Sequence, residues 1–206
     1  MVRKTKAEAE VTRQQIIDAA RTVFVERGVS RTSLENIAKQ SGVSRGAIYW
    51  HFANKVELFF AMKEQVSLPL VDEVDGFLLK EDLNDSLEGI ERSLLTIIRL
   101  LEENEVARQT FEIMFFKCEY VEEFAVLLSH WTQVCDDFVR KFTLAYERAK
   151  SKGQLREGLN PSALARDTHL FISGLIRLWL ADEKGELVRT HAREMIESHV
   201  SLRRKQ

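Results

Sequence analysis

Residues 34–52 read LENIAKQSGVSRGAIYWHF, and this stretch decides the fold of the first part of the chain. Two short helices that cross through a tight turn require a small residue at the crossing, a glycine in the turn and an apolar residue that packs back from the second helix. Ala38, Gly42 and Ile48 supply these residues at the required separations. The stretch therefore predicts a helix-turn-helix, and an ordinary helical hairpin is the alternative.

Signals for helix starts and ends surround this stretch. Apolar residues recur at three- and four-residue spacing over about residues 8–27, and Gly28 follows as a C-terminal cap, so a first helix is expected there. The third helix should cover residues 45–52, and the fourth should begin at Lys55. Side chains that can cap these later helices at their N-termini are, in chain order, Thr32 or Ser33, Ser44 and Asn54.

The remainder of the chain predicts helices alone. Nine Gly and two Pro are few for 206 residues, and β-branched residues do not alternate in strand-like runs. Pro69 should kink or divide the fourth helix, and the pattern places a domain boundary near it. Further helices are expected at about 84–102, 105–117, 121–151, 161–181 and 187–203. We therefore predict an all-α chain.

Composition and charge limit the classes of function. No apolar run approaches the roughly 20 residues that a membrane span requires, and the polar N-terminus lacks the apolar stretch of a signal peptide. A cytoplasmic protein with no membrane partner is therefore expected. The first 60 residues carry ten Lys and Arg against six Asp and Glu, whereas the rest of the chain has a net charge of −6. This distribution favours a first part that contacts phosphates.

The third predicted helix has two different sides. At 100° per residue, Ile48 and Phe52 lie together and mark the buried side. The opposite side carries Gly46 and Trp50, flanked by Ala47 and Tyr49. Small residues allow close approach to the floor of the major groove, and Arg45 has the donor fork to read guanine or to grip a phosphate. Donors on the rings of residues 49–51 suit flanking phosphates, with packing of Trp50 or Tyr49 against the fourth helix as the alternative.

Other chemistry finds little support in the sequence. Ser33, Asn54 and Lys55 sit at helix starts, where unpaired N–H groups favour phosphate oxygens, although capping explains the two cap residues equally well. Cys118 and Cys135 are interpreted as buried small hydrophobes, with redox sensing as the alternative. The five histidines have no ligand partner at metal-binding spacing, and there is no phosphate loop or nucleophile elbow. We predict no catalytic residue, no metal and no cofactor.

Several longer stretches carry a resemblance to a known family. They read GVSRTSLENIA at 28–38 and SGVSRGAIYWHFANK at 41–55, with RKTK at 3–6, FEIMFFKCE at 111–119 and ISGLIR at 172–177. The first two resemble the TetR family of bacterial repressors. RKTK and FEIMFFKCE narrow the resemblance to the branch of AcrR and TtgR, local repressors of multidrug efflux pumps, and ISGLIR extends it nearly to the end of the chain.

The resemblance implies a three-helix DNA-binding domain at residues 1–54 and a six-helix ligand-binding and dimerisation domain at 55–206. It also implies a homodimer formed through the last two helices, whose apolar stripe includes Met195 and Ile196. The expected DNA-binding residues are Ser33, Ser44, Arg45, Gly46, Ala47, Tyr49, Trp50, His51 and Lys55. The expected partners are double-stranded operator DNA, a second copy of the chain and a small hydrophobic or amphiphilic effector.

The same resemblance implies a ligand pocket. Its expected residues are Met62, Val66, Phe111, Met114, Phe115, Trp131, Cys135, Ser173 and Arg177. Phe111, Phe115 and Ser173 stand where relatives carry polar or acidic residues, so the pocket should be more apolar than theirs. Plain core packing explains the large apolar residues equally well.

The implied function is a ligand-responsive repressor that binds a palindromic operator as a dimer and is released by small hydrophobic compounds, controlling a multidrug efflux operon. One alternative is a DNA-binding protein that a protein partner switches. Control of a metabolic operon is another, and an enzyme that retains a DNA-binding head is a third.

Overall fold

The computed structural model describes residues 5–80 and 84–205 of the chain. Within these ranges it contains nine α-helices and no strand, with an isolated bridge between Leu155 and Arg204. The helices are α1 Lys6–Arg27, α2 Leu34–Ser41, α3 Arg45–His51, α4 Lys55–Leu78, α5 Ser86–Glu103, α6 Glu105–Glu112, α7 Ala125–Ser151, α8 Pro161–Ala181 and α9 Ala192–Ser201. Between α6 and α7 lie a π-helical turn, Ile113–Lys117, and a 3-10 turn, Glu122–Phe124. The predicted all-α fold, with three helices in the DNA-binding head and six beyond it, is confirmed.

Local capping explains where the first helices begin. The hydroxyl of Ser33 accepts the N–H of Asn36 at 3.2 Å, and the hydroxyl of Ser44 accepts the N–H of Ala47 at 3.2 Å. Asn54 caps α4 through its side-chain oxygen, which accepts the N–H of Glu57 at 2.9 Å. All three predicted caps are therefore confirmed. Thr32 is not a cap, because its hydroxyl donates to the carbonyl of residue 28.

Two compact units divide the described chain. One comprises the chain as far as Leu68 together with Val106–Val126, and the other comprises Pro69–Glu105 and the chain from Leu127 onward. The division falls at Pro69, near the boundary that the sequence pattern indicates. The first unit adds the start of α4 and nearly all of α6 to the three helices of the predicted 1–54 domain. The boundary at residue 54 stays a prediction.

In the first unit, the helices α1–α4 contact the later segment Val106–Val126. The N–H of Val29 donates to the carbonyl of Lys117 at 2.8 Å. The rings of Phe59 and Phe124 meet edge to face with centroids 5.8 Å apart. Arg21 is buried on α1 and donates to Thr110 of α6 at 3.4 Å. The π-helical turn therefore lies directly against the loop that precedes α2.

Buried polar contacts organise the second unit. Lys141 of α7 donates to Asp75 at 2.8 Å. The hydroxyls of Tyr146 and Thr168 lie 2.8 Å apart, and Thr168 is 3.0 Å from the ring nitrogen of His199. These bonds connect α7, α8 and α9. Desolvation by burial lowers the pKa of His199 to about 4, so its ring is neutral at pH 7.

The structure corrects three expectations about local structure. Pro69 lies inside α4, so the predicted division of this helix is wrong, while the alternative of a kink stays a prediction. The last helix begins at Ala192 rather than at about 187, because the carboxylate of Asp182 accepts the N–H groups of residues 187–189 and holds them in a loop. Cys118 and Cys135 are half-buried rather than buried. Burial raises the pKa of Cys118 to about 11, which disfavours the reactive thiolate that redox sensing would need.

No helix in the described part of the chain combines the length and the apolar character of a membrane span.

Candidate DNA-binding and ligand-binding sites

The apolar side of helix α3 packs into the rest of the head. Ile48 is 0% exposed and Phe52, which follows the helix, is 1% exposed. The guanidinium of Arg13 lies 5.2 Å from the centroid of the Phe52 ring. Gly42 holds the turn before α3 in a left-handed conformation, with φ 72°, which a glycine adopts without strain. The predicted helix-turn-helix is therefore present.

The opposite side of α3 is open. Trp50 is 72% exposed and Tyr49 is 48% exposed, and Arg45 and Gly46 are also exposed. The alternative in which Trp50 packs against the fourth helix is therefore wrong. A large, solvated aromatic residue with an N–H donor, on the same helix as an exposed arginine, fits a surface whose partner is another molecule.

The glycine on this open side is not required by the fold. A methyl group added at Gly46 would meet no atom within 4 Å, and its φ is not in the left-handed region. Glycine in a helix is destabilising by roughly 0.5–1 kcal/mol relative to alanine. The internal structure gives no reason to accept that cost, whereas close approach of a DNA groove does.

A carboxylate at the start of α2 contacts the side chains of α3. Glu35 accepts hydrogen bonds from Arg45 at 2.9 Å and from the hydroxyl of Tyr49 at 3.3 Å. Its own backbone N–H, then Ser33, Tyr49 and Arg45, hold the pKa of Glu35 below its usual value, so it is ionised at pH 7. The sequence pattern does not indicate these contacts, because Glu35 lies ten and fourteen residues before its two partners.

Three further DNA-binding candidates are partly engaged within the chain. The hydroxyl of Ser33 lies 3.1 Å from the side-chain oxygen of Asn36. Ala47 and His51 are half-buried, and the His51 ring meets the Trp50 ring edge to face at 4.5 Å. Their contacts with DNA stay predictions.

Lys55 is held inside the head. Its ammonium donates to the carbonyls of Val29 at 3.0 Å and Thr32 at 2.9 Å, and it lies 3.5 Å from the carboxylate of Glu123. It also lies 5.2 Å from the ring centroid of Phe124. These contacts connect α4 to the loop before α2 and to the 3-10 turn before α7. The predicted contact of Lys55 with a DNA phosphate stays a prediction. The sequence does not indicate the structural role of Lys55, because that role depends on residues far away in the chain.

The predicted ligand residues fall into two groups, one in each unit. In the first unit Met62, Val66 and Met114 are buried. Phe111 and Phe115 are half-buried, and their rings are nearly parallel, at 15°, with centroids 6.4 Å apart. The two phenylalanines thus form one apolar surface that neighbouring side chains cover only in part.

The second group lies on α7 and α8. Trp131, Cys135 and Ser173 are half-buried, and Arg177 is exposed. Partial burial of large apolar side chains is the pattern that a ligand surface requires, and it is also common at the edge of a core. The nine residues therefore stay a predicted ligand set.

The head consists of three helices, and its third helix exposes arginine, tyrosine and tryptophan around a glycine. This architecture is typical of a helix-turn-helix DNA-binding regulator. Residues 16–62 match the family described as bacterial regulatory proteins, tetR family, and residues 85–204 match the C-terminal region of MAATS-type transcriptional repressors. The chain belongs to the TetR family and is a transcriptional repressor of the group that includes repressors of multidrug efflux operons.

Individual relatives agree with this assignment. The HTH-type transcriptional regulator TtgR of Pseudomonas putida is 38% identical over 180 residues, which cover 87% of this chain and 85% of TtgR. The crystal structure of NalD, the secondary repressor of the MexAB-OprM multidrug efflux pump in Pseudomonas aeruginosa, has a TM-score of 0.86 at 32% identity, covering 98% of this chain and 100% of NalD. SmeT of Stenotrophomonas maltophilia, solved as a triclosan complex, has a TM-score of 0.84 at 30% identity, covering 95% of this chain and 93% of SmeT.

Proposed function

We propose that this repressor binds a palindromic operator as a dimer, in the cytoplasm, and controls a multidrug efflux operon from which small hydrophobic compounds release it. The observation that carries the proposal is the open side of α3, where Trp50 and Arg45 are exposed around a glycine that the fold does not need. The efflux role rests on the names of the relatives TtgR, NalD and SmeT.

The proposed reading of DNA assigns different tasks to the side chains of α3. Gly46 and Ala47 bring the backbone close to the bases, and Arg45 reads a guanine through its two-pronged donor group. Tyr49, Trp50 and His51 bind flanking phosphates, together with Ser33, Ser44 and the start of α4 at Lys55, where backbone N–H groups rather than the engaged ammonium face the phosphate. One helix of seven residues makes few contacts, so two copies on a symmetric site are required for specific binding.

The proposed dimer surface lies on α8 and α9. Its exposed aliphatic side chains are Leu170, Leu178, Leu187 and Leu202. A groove on the same two helices is lined in part by Phe171, Met195 and Leu202. Ile196, grouped with Met195 in the predicted stripe, is 0% exposed and belongs to the protomer core, so it is unsuitable for testing the dimer.

The proposed release of DNA uses contacts inside the first unit. A hydrophobic effector that packs on Phe111, Met114 and Phe115 displaces the π-helical turn, which ends at Lys117. Because the carbonyl of Lys117 accepts the N–H of Val29, the displacement reaches the loop that positions α2 and α3. A coupling of about 1–3 kcal/mol weakens operator binding roughly 5- to 150-fold.

Selection of genomic fragments by the purified protein, followed by footprinting, tests the proposal. We expect two half-sites whose centres lie about one helical turn, roughly 34–36 Å, or a multiple of it apart on one face of the duplex. Triclosan, the compound named with SmeT, serves as the first effector probe. We expect it to release the selected fragment while a Trp50→Ala variant fails to bind that fragment at all. Specific binding that neither triclosan nor other amphiphiles weaken would contradict ligand release.

A further inference from the structure

Lys63 is a buried charge on the inner side of α4. It is 9% exposed, and it follows Met62, which is 0% exposed. Phe59, Met62, Lys63 and Val66 have the spacing that places residues on one side of a helix, and the other three are buried apolar residues. Lys63 therefore lies on the same side of α4 as two predicted ligand residues, Met62 and Val66.

The other buried charged side chains in the described ranges have polar partners. Arg21 pairs with Asp18, Lys141 with Asp75, and Arg203 with Asp167. The carboxylate of Asp182 accepts three backbone N–H groups.

Lys63 differs from all of them. Within residues 5–80 and 84–205, its ammonium has no hydrogen-bond or ion-pair partner, and it lies 5.5 Å from the ring centroid of Phe60. Glu64 favours the charged form from a distance, but desolvation is the larger effect and lowers the pKa of Lys63. The ammonium is not among the fully buried polar atoms, so water still reaches it, but partial loss of hydration without an acceptor from the protein is unfavourable.

From this unpaired cation among apolar side chains we infer that Lys63 binds the anionic group of an amphiphilic effector, whose apolar part packs against Met62 and Val66. The inference rests on the proposed ligand response and adds its chemical class: an apolar chain or ring system that carries a carboxylate or another anionic group. An incoming carboxylate supplies the acceptor that the folded chain lacks, and the ion pair forms where burial of the lysine side chain has already removed part of its hydration.

The test compares two probes that differ only in the anionic group, decanoate and 1-decanol. Calorimetry and operator release are measured for the parent protein, for Lys63→Met, which keeps the length of the side chain, and for Lys63→Arg, which keeps the charge. Lys150→Met, at an exposed lysine of α7, is the matched control. We expect the parent to bind decanoate at least about tenfold more tightly than 1-decanol, the effect of one charge-assisted hydrogen bond.

Lys63→Met should lose that preference with its affinity for 1-decanol unchanged, whereas Lys63→Arg and Lys150→Met should keep it. Equal losses for both probes in Lys63→Met, or unchanged binding of decanoate, would show that the lysine has no ligand role. A parent protein that prefers 1-decanol would overturn the inference without any variant. If triclosan releases the operator in that case, ligand response stands and only the role of Lys63 fails. A parent that responds to none of the three compounds would contradict both.

Discussion

Two surfaces of this repressor expose side chains that packing within the chain does not explain, and their chemistry differs. On α3 the exposed residues are Arg45, Gly46, Tyr49 and Trp50, three of which carry N–H or O–H donors. On α8, α9 and the adjoining loops the large exposed hydrophobic residues are Leu170, Leu178, Leu187 and Leu202, and exposed charged residues such as Arg177 and Glu194 lie on the same helices. Donors around a glycine suit a polyanion with a groove, whereas aliphatic side chains suit another protein surface. The donors of α3 therefore favour DNA as a partner, and the exposed leucines of the second surface favour a protein.

The largest effect is expected from placing charge on the aliphatic surface. The double substitution Leu170→Glu with Leu178→Glu should give monomers, because buried unpaired carboxylates cannot remain in an interface. Operator affinity should then fall by more than about 100-fold, since one half-site supplies only part of the contacts. Light scattering beside operator titration measures both quantities. Leu144→Glu, at an exposed leucine of α7, is the control and should change neither. A monomeric double variant with parental affinity would refute the dimer requirement.

A smaller loss is expected when the arginine of α3 is removed. Arg45→Ala should cost about 1–3 kcal/mol on the operator and relax the preference at one position of each half-site. Arg13→Ala is a control for general damage, since Arg13 packs on Phe52 from α1. Binding to a library randomised at single positions distinguishes base reading from phosphate contact. An equal loss on every sequence would make Arg45 a phosphate contact only.

The features that sequence alone predicts in the head are local ones. Ser44 caps α3 because its own hydroxyl reaches an N–H three residues on, and Ile48 is buried because of its position in the helical repeat. Both depend on neighbours within a few residues. The exposed side of α3 follows from the buried one by geometry, so the exposure of Arg45, Tyr49 and Trp50 could be predicted, whereas their contacts with DNA stay predictions.

The features that sequence misses depend on residues far apart in the chain. Lys55 looks like a free cation at a helix start, yet its ammonium is held by carbonyls 23 and 26 residues earlier. Lys63 looks like one more surface charge, yet it is buried. Asp182 shortens the last helix through N–H groups five to seven residues later. The periodicity of apolar residues does not indicate contacts between residues that are far apart in the chain. A ligand pocket depends on such contacts, so the ligand residues stay predictions.

Adding a methyl group at Gly46 of α3 should have opposite effects on the stability of the protein and on its affinity for DNA. Gly46→Ala should raise the free energy of unfolding by up to about 1 kcal/mol, because the site has space and alanine favours helix. The same methyl group should weaken operator binding several-fold by holding α3 away from the groove. Thermal unfolding and operator titration on one preparation measure both effects. Gly76→Ala, a helical glycine of α4 with the same free space, should stabilise the protein and leave DNA binding unchanged. A Gly46→Ala protein with parental affinity would show that no close approach occurs there.

The smallest effect concerns the carboxylate that contacts the α3 donors. Glu35 is ionised and bonded to Arg45 and Tyr49, so its charge opposes phosphates and also holds both donors in one place. Glu35→Gln keeps the shape and one acceptor but removes the charge. Because exposed ion pairs contribute little, we expect only about a two- to fivefold gain in affinity for random DNA, and a smaller gain or a loss on the operator, where fixed donors matter. The ratio of operator affinity to random-DNA affinity should therefore fall.

Glu57→Gln, at the cap of α4, is the matched control and should leave the ratio unchanged. If Glu35→Gln strengthens binding to operator and random DNA equally, Glu35 acts only through its charge and does not position Arg45.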